Sequence, residues 1–362
     1  MRLWLLVILL AIDANPAFAD KTLDFAKPLH RIAFGSCAMQ FKPQPIWDAI
    51  ALQEPDLFLF LGDNIYGDFD GKNTFTPSAN ALKRDWQLLA NEPHFNEFRK
   101  TVPIMATWDN HDYGKYDGGA EFGLREISQQ IFLDFFDEPG DSPRRLTPGI
   151  YDSKIIGPVG KRVQVILLDT RYFKGPFIKD TRSKAEKFET GNIGSMASYV
   201  PNADPEVTLL GDSQWAWLST QLKLPAEIRL VVSSTQIVAD QKAMDEWGNY
   251  PLERQRLLDM LARSTTGTTI MLSGNAHFSE ISAISINGHE LIDFTSSGMT
   301  HSNQSYAAVD NSYRVAGPYD DLNFGLLEID WDGEPSPTIK LTTMSKNGEV
   351  VFSHKLLLKK PS

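Results

Sequence analysis

The sequence contains short runs that are apolar at every position and stop abruptly at a polar residue. Leu57-Phe58-Leu59-Phe60-Leu61 ends at Gly62-Asp63, and Asn64, Ile65 and Tyr66 follow at once. Five consecutive apolar residues bounded by a turn signal fit a strand covered on both faces, which belongs in the middle of a layered α/β protein. Other runs end the same way. Arg31-Ile32-Ala33-Phe34 leads to Gly35-Ser36-Cys37, and Val102 to Trp108 leads to Asp109-Asn110-His111-Asp112. Val163 to Leu168 leads to Asp169-Thr170-Arg171, and Thr269 to Leu272 leads to Ser273-Gly274-Asn275-Ala276-His277. In α/β sheets the carboxyl ends of the strands are where ligands bind.

Helical spacing separates these runs. Pro45 to Gln53 reads as a helix opened by proline. Phe122 to Phe136 repeats apolar residues on one helical face, and Leu252 to Leu261 does the same. Asp212 is placed to cap a helix whose apolar face is Trp215, Leu218 and Leu222. Leu230 to Val232 is a further strand. Beyond residue 290 the chain turns β-rich, with strands over Leu291 to Thr295, Phe324 to Trp331, Thr338 to Met344 and Val350 to Leu358. Asn347-Gly348 is a hairpin signal between the last two. Lys174 to Pro205 is polar and aperiodic, and reads as a long surface loop near a site. The expected class is α/β with mixed sheets covered by helices.

Composition limits the function. The 362 residues carry a net charge of −11, which argues against nucleic-acid binding through the bulk field. An anionic substrate would need a local positive centre. Arg2, the apolar stretch Leu3 to Ile12 and the small-residue site Ala17-Phe18-Ala19 read as a signal peptide over 1–19, cleaved after Ala19. The expectation is a periplasmic or secreted single domain over 20–362, with no transmembrane segment in the mature chain. Cys37 is the only cysteine. In an oxidising compartment it has no internal partner, so it is either buried and inert or bound to something.

The strand-end groups together make a coherent ligand set. Carboxylate, phenolate and amide oxygens suit a hard cation, and imidazole suits iron or zinc. A thiolate and a phenolate need a strong Lewis acid to hold them deprotonated.

In order along the chain, GSC (Gly35 to Cys37), GDNIY (Gly62 to Tyr66), WDNHDYG (Trp108 to Gly114), LDTRYFKG (Leu168 to Gly175), LLGDSQWAWL (Leu209 to Leu218), EWGNYPLERQRLL (Glu246 to Leu258) and SGNAHFSEIS (Ser273 to Ser282) resemble the alkaline phosphatase D family. That is the PhoD-like branch of the calcineurin-like metallophosphoesterases. TSSG (Thr295 to Gly298) and NFGLLEID (Asn323 to Asp330) extend the match. The resemblance implies a four-layer α/β/β/α sandwich with two mixed central sheets, metals at one sheet edge, and metal-dependent hydrolysis of phosphate esters. It implies Asp63 as a bridging carboxylate, Cys37, Tyr66 and His277 as ligands of a ferric ion, and Asn110 with Asn275 on a second metal, calcium. Another divalent ion can stand in. It further implies His111, backed by Asp112, as the acid for the leaving oxygen, and Arg171 as a phosphate contact beside Asn110. Asn275 stands where many relatives have Asp, and Tyr116 where many have Asn. The implied substrate is a small phosphate ester, monoester or diester. Alternatives are a phospholipid head group, or a non-catalytic relative that binds phosphate or metal.

Overall fold

The structure is a computed structural model; the residues described are 21–189, 198–264 and 267–358. The expected leader over 1–19 lies outside them, as does part of the Lys174 to Pro205 stretch.

Fifteen strands occur among the described residues. In chain order they are β1 (Arg31–Gly35), β2 (Leu57–Leu61), β3 (Ile104–Thr107), β4 (Asp152–Ile156), β5 (Val163–Leu167), β6 (Ile178–Lys179), β7 (Tyr199–Val200) and β8 (Ile228–Ser233). There follow β9 (Thr268–Ser273), β10 (Ser279–Ile286), β11 (His289–Ser296), β12 (Arg314–Tyr319), β13 (Asn323–Asp330), β14 (Thr338–Ser345) and β15 (Val350–Leu357). One sheet has the order β15-β14-β13-β1-β2-β3, and the other β12-β10-β11-β9-β8-β5-β4; β6 and β7 form a separate ribbon. Strands β1, β2 and β3 run parallel. So do β5, β8, β9 and β11. Hairpin-type antiparallel pairs complete each sheet.

Three apolar layers divide the four structural ones. Leu57, Leu59 and Leu61 of β2 face Val165, Leu230, Ile270 and Phe294 between the two sheets. Phe58 and Phe60, on the opposite face of the same strand, pack under Trp47, Phe95 and Phe98 of the covering helices. On the far side, Ile166, Val231 and Met271 meet Trp215, Leu218 and Leu257. Every residue of β2 is buried because both of its faces are covered. At roughly 1.5–3 kcal/mol per buried large apolar side chain, that strand is an anchor of the fold. The α/β/β/α sandwich expected from the resemblance is therefore what forms.

Some local expectations change. The helix expected after Asp212 begins at Gly211, and Asp212 makes no cap. Thr208 accepts from the first helical N–H, that of Gly211, through its Oγ1 at 2.7 Å, and Glu253 of the neighbouring helix holds that turn, with Oε1 accepting from the Thr208 hydroxyl and Oε2 from Leu209 N and Leu210 N. The polar stretch after Lys174 contains the β6–β7 ribbon and a helix over Lys184–Glu189. Strand β10 gave no apolar run because its sequence, SEISAISI, carries a functioning buried acid.

That acid is Glu280. Its Oε1 accepts from Lys242 Nζ at 2.9 Å, and its Oε2 from Arg314 Nε at 2.6 Å. Gln236 and Asn311 also donate to Oε1. Burial pushes this carboxyl up, but the two cations overcome burial and hold it below the usual glutamate range. Its stabilising effect is therefore complete above the unfolded-chain value, roughly 4.3, and is lost as pH falls through the lower folded one. Glu280→Gln leaves the buried Lys242 and the half-buried Arg314 without their counter-charge. A loss of about 3–5 kcal/mol is expected, read as a lower denaturant midpoint at pH 7. An unchanged midpoint would show that the pair is not needed.

Candidate metal centre and active-site pocket

The parallel strands deliver their carboxyl ends to one edge, and the loops that leave them carry the site. Four of these loop residues have left-handed backbone: Cys37 (φ 65°), Asp63 (φ 51°), Asn275 (φ 62°) and His277 (φ 58°). Non-glycine residues take this conformation at a cost, and such outliers gather at functional sites. Gly62, just before Asp63, has φ 103°, and a Cβ there would lie 2.6 Å from Asp109 Cβ. Only glycine lets the loops after β2 and β3 approach this closely.

Asp63 is at the centre. It is fully buried. Its Oδ2 accepts from Cys37 Sγ at 3.5 Å and from Tyr66 OH at 3.4 Å, while its Oδ1 accepts from His111 N at 3.2 Å. Ligand atoms of Cys37, Asp63 and His277 all lie within 4.8 Å of one another. Burial, then the nearby Asp63 charge, pushes the Cys37 thiol well above its ordinary range. Burial, then the Cys37 and Asp63 charges, does the same to the Tyr66 phenol. Burial lowers His277 to about 3, so it is a neutral imidazole.

These groups fit a metal ion. Thiol, phenol and carboxyl crowd together with the His111 ring, stacked on Tyr66 at 4.0 Å, as the ionisable base beside them, and a bound cation is what would favour their deprotonated forms. A second buried donor is free beside them, because Asn110 Oδ1 has no hydrogen-bond partner. Asn275 lines the same pocket and commits its Nδ2 to Asp245 O at 3.1 Å, leaving its amide oxygen uncommitted by that bond.

The pocket wall comprises Asn110, His111, Tyr116, Asp117, Asp245, Asn275, His277, Tyr306 and their neighbours. Among the described residues its ionisable bases are histidines, so an anionic group entering it meets the Asp117 and Asp245 carboxylates unless cations are bound. Tyr116, at the position of the second departure, is half exposed at its mouth.

The partner of His111 differs from expectation. Asp112 does not touch its ring: Oδ1 of Asp112 accepts from Asp109 N and Oδ2 from Asn64 N, which fixes the two loops to each other. The carboxylate on His111 is Asp68, with Oδ1 2.6 Å from Nδ1, and both groups are buried. Burial works to lower the His111 pKa, but Asp63 and Asp68 outweigh it and raise it. Asp68 lies in the loop beyond Tyr66, not at a strand end, so the pattern that found the other residues passes over it. Its one sequence signal is proximity to Asp63.

Arg171 also differs. It is wholly buried and stands behind the pocket, not in its wall. Its Nε donates to Asp109 at 2.7 Å and its Nη2 pairs with Asp109 and Asp245. Nη1 alone has no partner. The side chain orders two acidic loops instead of presenting a fork to a ligand. His301, outside the expected ligand set, reaches the centre: its Nε2 is 3.0 Å from Tyr66 OH and 3.3 Å from His277 Nε2.

Two packed mixed sheets with ligand-bearing loops along one edge define the metallophosphoesterase fold. Among solved structures, that of PhoD matches with a TM-score of 0.64 at 16% identity, covering 91% of this chain and 72% of its own. GAP50, the anchor in the inner membrane complex of Plasmodium, matches with a TM-score of 0.55 at 15% identity, covering 92% and 90%. These likenesses speak to the fold. No curated protein matches the chain in sequence. Residues 150–317 match the model of the PhoD-like phosphatases. That stretch contains Arg171, Asn275 and His277; the loops with Cys37, Asp63, Tyr66 and His111 precede it. No helix among the described residues is long and apolar enough to cross a membrane.

Proposed function

We propose that the chain hydrolyses small phosphate esters at this centre, after export to a periplasm or the exterior. One observation carries the reading: Cys37, Asp63 and His277 converge beside an unpartnered amide oxygen of Asn110. Cys37, Tyr66, His277 and Asp63 would hold a ferric ion, and Asp63, Asn110 and Asn275 a second cation, calcium by family resemblance. When bound, the two cations supply positive charge for the phosphoryl oxygens and lower the pKa of an attacking water.

The chain's own residues supply the rest. Asp68 accepts from His111 Nδ1–H and so fixes the ring with Nε2 turned to other partners. The neighbouring carboxylates favour the protonated ring, and in that form Nε2–H is the proton it can pass to the leaving alcohol oxygen. Asp68 is a positioning residue here. Asp112 holds the loops that place Asp63 and Asn110 in register. Arg171 neutralises Asp109 and Asp245 behind the pocket, and so limits the negative field that an entering phosphate meets.

The metal assignment has a direct test. Phenolate bound to ferric ion absorbs visible light, so the purified iron-loaded protein should be coloured and Tyr66→Phe should bleach it. A colourless, fully active protein holding zinc alone would sink the assignment to iron. Phosphate release from a nitrophenyl monoester, run beside a diester, separates turnover from binding without turnover.

A further inference from the structure

A second cleft, of about 380 Å³, adjoins the metal pocket. Tyr199 of β7 lines both. One short stretch of chain does the same: Met244 and Asp245 line the metal pocket, while Ala243 and Glu246 line the cleft. The wall between them is well tied. Ala243 O accepts from Ser198 N at 2.9 Å and from Tyr199 N at 3.1 Å. The Tyr199 hydroxyl donates to Asp117 of the metal pocket, and its ring stacks on Phe177 at 4.2 Å. Gly248 lies against Asp240 at the cleft, where a Cβ would come within 2.8 Å of Asp240 Cα.

The cleft holds a buried carboxyl with one oxygen unused. Glu246 is 3% exposed. Its Oε1 accepts from Lys242 N at 3.0 Å and from Ala243 N at 2.9 Å. Its Oε2 has no partner. Lys242 Nζ is committed elsewhere, to Glu280 at 2.9 Å. Burial pushes the Glu246 carboxyl up to about 7, against the pull of Lys242. A buried acceptor without a donor is costly, and a charged donor gains most there, because it also favours the ionised carboxylate. Asp240, paired with Arg254 at 3.0 Å, and Asp310 line the same cleft. Arg182 lines it too and donates to Asp180 at 2.7 Å. Val200, Pro201 and Val309 add apolar surface. A metal ion does not fit: among the described residues these acids form no close ligand group, unlike Cys37, Asp63 and His277. An organic ammonium needs only one carboxylate oxygen and an apolar lining for its carbon chain.

We propose that this cleft binds the ammonium end of the substrate's alcohol, with the NH3+ group donating to Glu246 Oε2, so that the esters hydrolysed are small phosphate esters of amino alcohols. The proposal rests on the phosphoesterase reading above and narrows its substrate. The phosphoryl group lies in the metal pocket, and the carbon chain runs past Tyr199 into the cleft. Asp117, beside that path, repels a phosphate but attracts an alcohol that carries positive charge.

The test uses metal-loaded protein and matched esters. Aminoalkyl phosphates from aminoethyl to aminohexyl are each compared with the alkyl phosphate that has CH3 in place of NH3+. At the best length the aminoalkyl ester should have a kcat/KM roughly 10-fold or more above its match, the scale of one hydrogen bond to a charged group. Glu246→Gln keeps an acceptor for Lys242 N and Ala243 N but loses the charge, so most of that preference should disappear. A preference that survives intact in this variant would overturn the role of Glu246. No preference at any length in the wild type, with the alkyl esters hydrolysed, would overturn the proposal and leave the phosphoesterase reading standing. That comparison needs no variant, so it decides even if Glu246→Gln folds poorly. Faster hydrolysis of phosphatidylethanolamine vesicles than of every soluble ester would put the ammonium on a lipid and overturn the small-ester substrate. If neither series nor a nitrophenyl phosphate is hydrolysed, the phosphoesterase reading falls and the proposal with it.

Discussion

Asp63→Ala is expected to abolish metal binding and hydrolysis together while the protein stays folded. The carboxylate takes contacts from Cys37, Tyr66 and the His111 backbone, and so joins three of the loops' groups. Mutating an outer partner of a metal ligand typically costs 10–100-fold in affinity. Loss of a group shared by both cations should exceed roughly 100-fold. Stability should change little. Asp63 lies beyond the end of β2, outside the three apolar layers. Burial, the largest influence on it, raises its pKa, so the metal-free fold gains little from ionising it. Metal content by mass spectrometry and thermal unfolding give both readouts. Wild-type metal content in the variant would refute the bridging role.

His111→Ala should behave differently. The metals should remain, because its side chain is turned to Asp68. A general acid contributes about 10²–10⁴-fold, and its loss hurts most when the leaving alcohol is a poor one. An alkyl phosphate should lose rate in that range, and a nitrophenyl phosphate much less. Asp68→Asn should shift both rates in the same direction by smaller factors, since it disturbs the ring's proton without removing the ring. Equal losses on the two esters, with metals bound, would show that His111 does not protonate the leaving group. Its role would then be to stabilise charge on the phosphoryl group.

The parts of this site legible in the sequence are those that hang from buried strands. Leu57 to Leu61 announces itself because both faces of β2 are covered, and Asp63 and Tyr66 follow by position. Cys37, Asn110, Asn275 and His277 are found by the same rule. Asp68 is not, because it enters the site from a loop interior, and no periodicity marks a loop residue that folds back. Asp112 misled for a related reason. Sequence adjacency to His111 suggested contact, but on a one-turn helix (Asn110–Tyr113) the next side chain points elsewhere. Arg171 was placed on the right strand end, yet its direction depended on Asp245, a residue far along the chain. Sheet order was equally hidden. Strand β1 pairs with β13, nearly 300 residues later, and local spacing carries no information about such partners. Strand β10 was overlooked because Glu280 and its serines serve a buried polar network.

Metal-dependent phosphoester hydrolysis at this edge, as proposed, can be measured directly. The most direct measurement is phosphate release from a nitrophenyl monoester by purified protein, with metal content determined on the same samples before chelation, after it, and after iron and calcium are restored. Activity should disappear with the metals and return with them, iron should be present in the first sample, and Asp63→Ala should show none of this. Full activity in a sample stripped of metal would contradict the proposal.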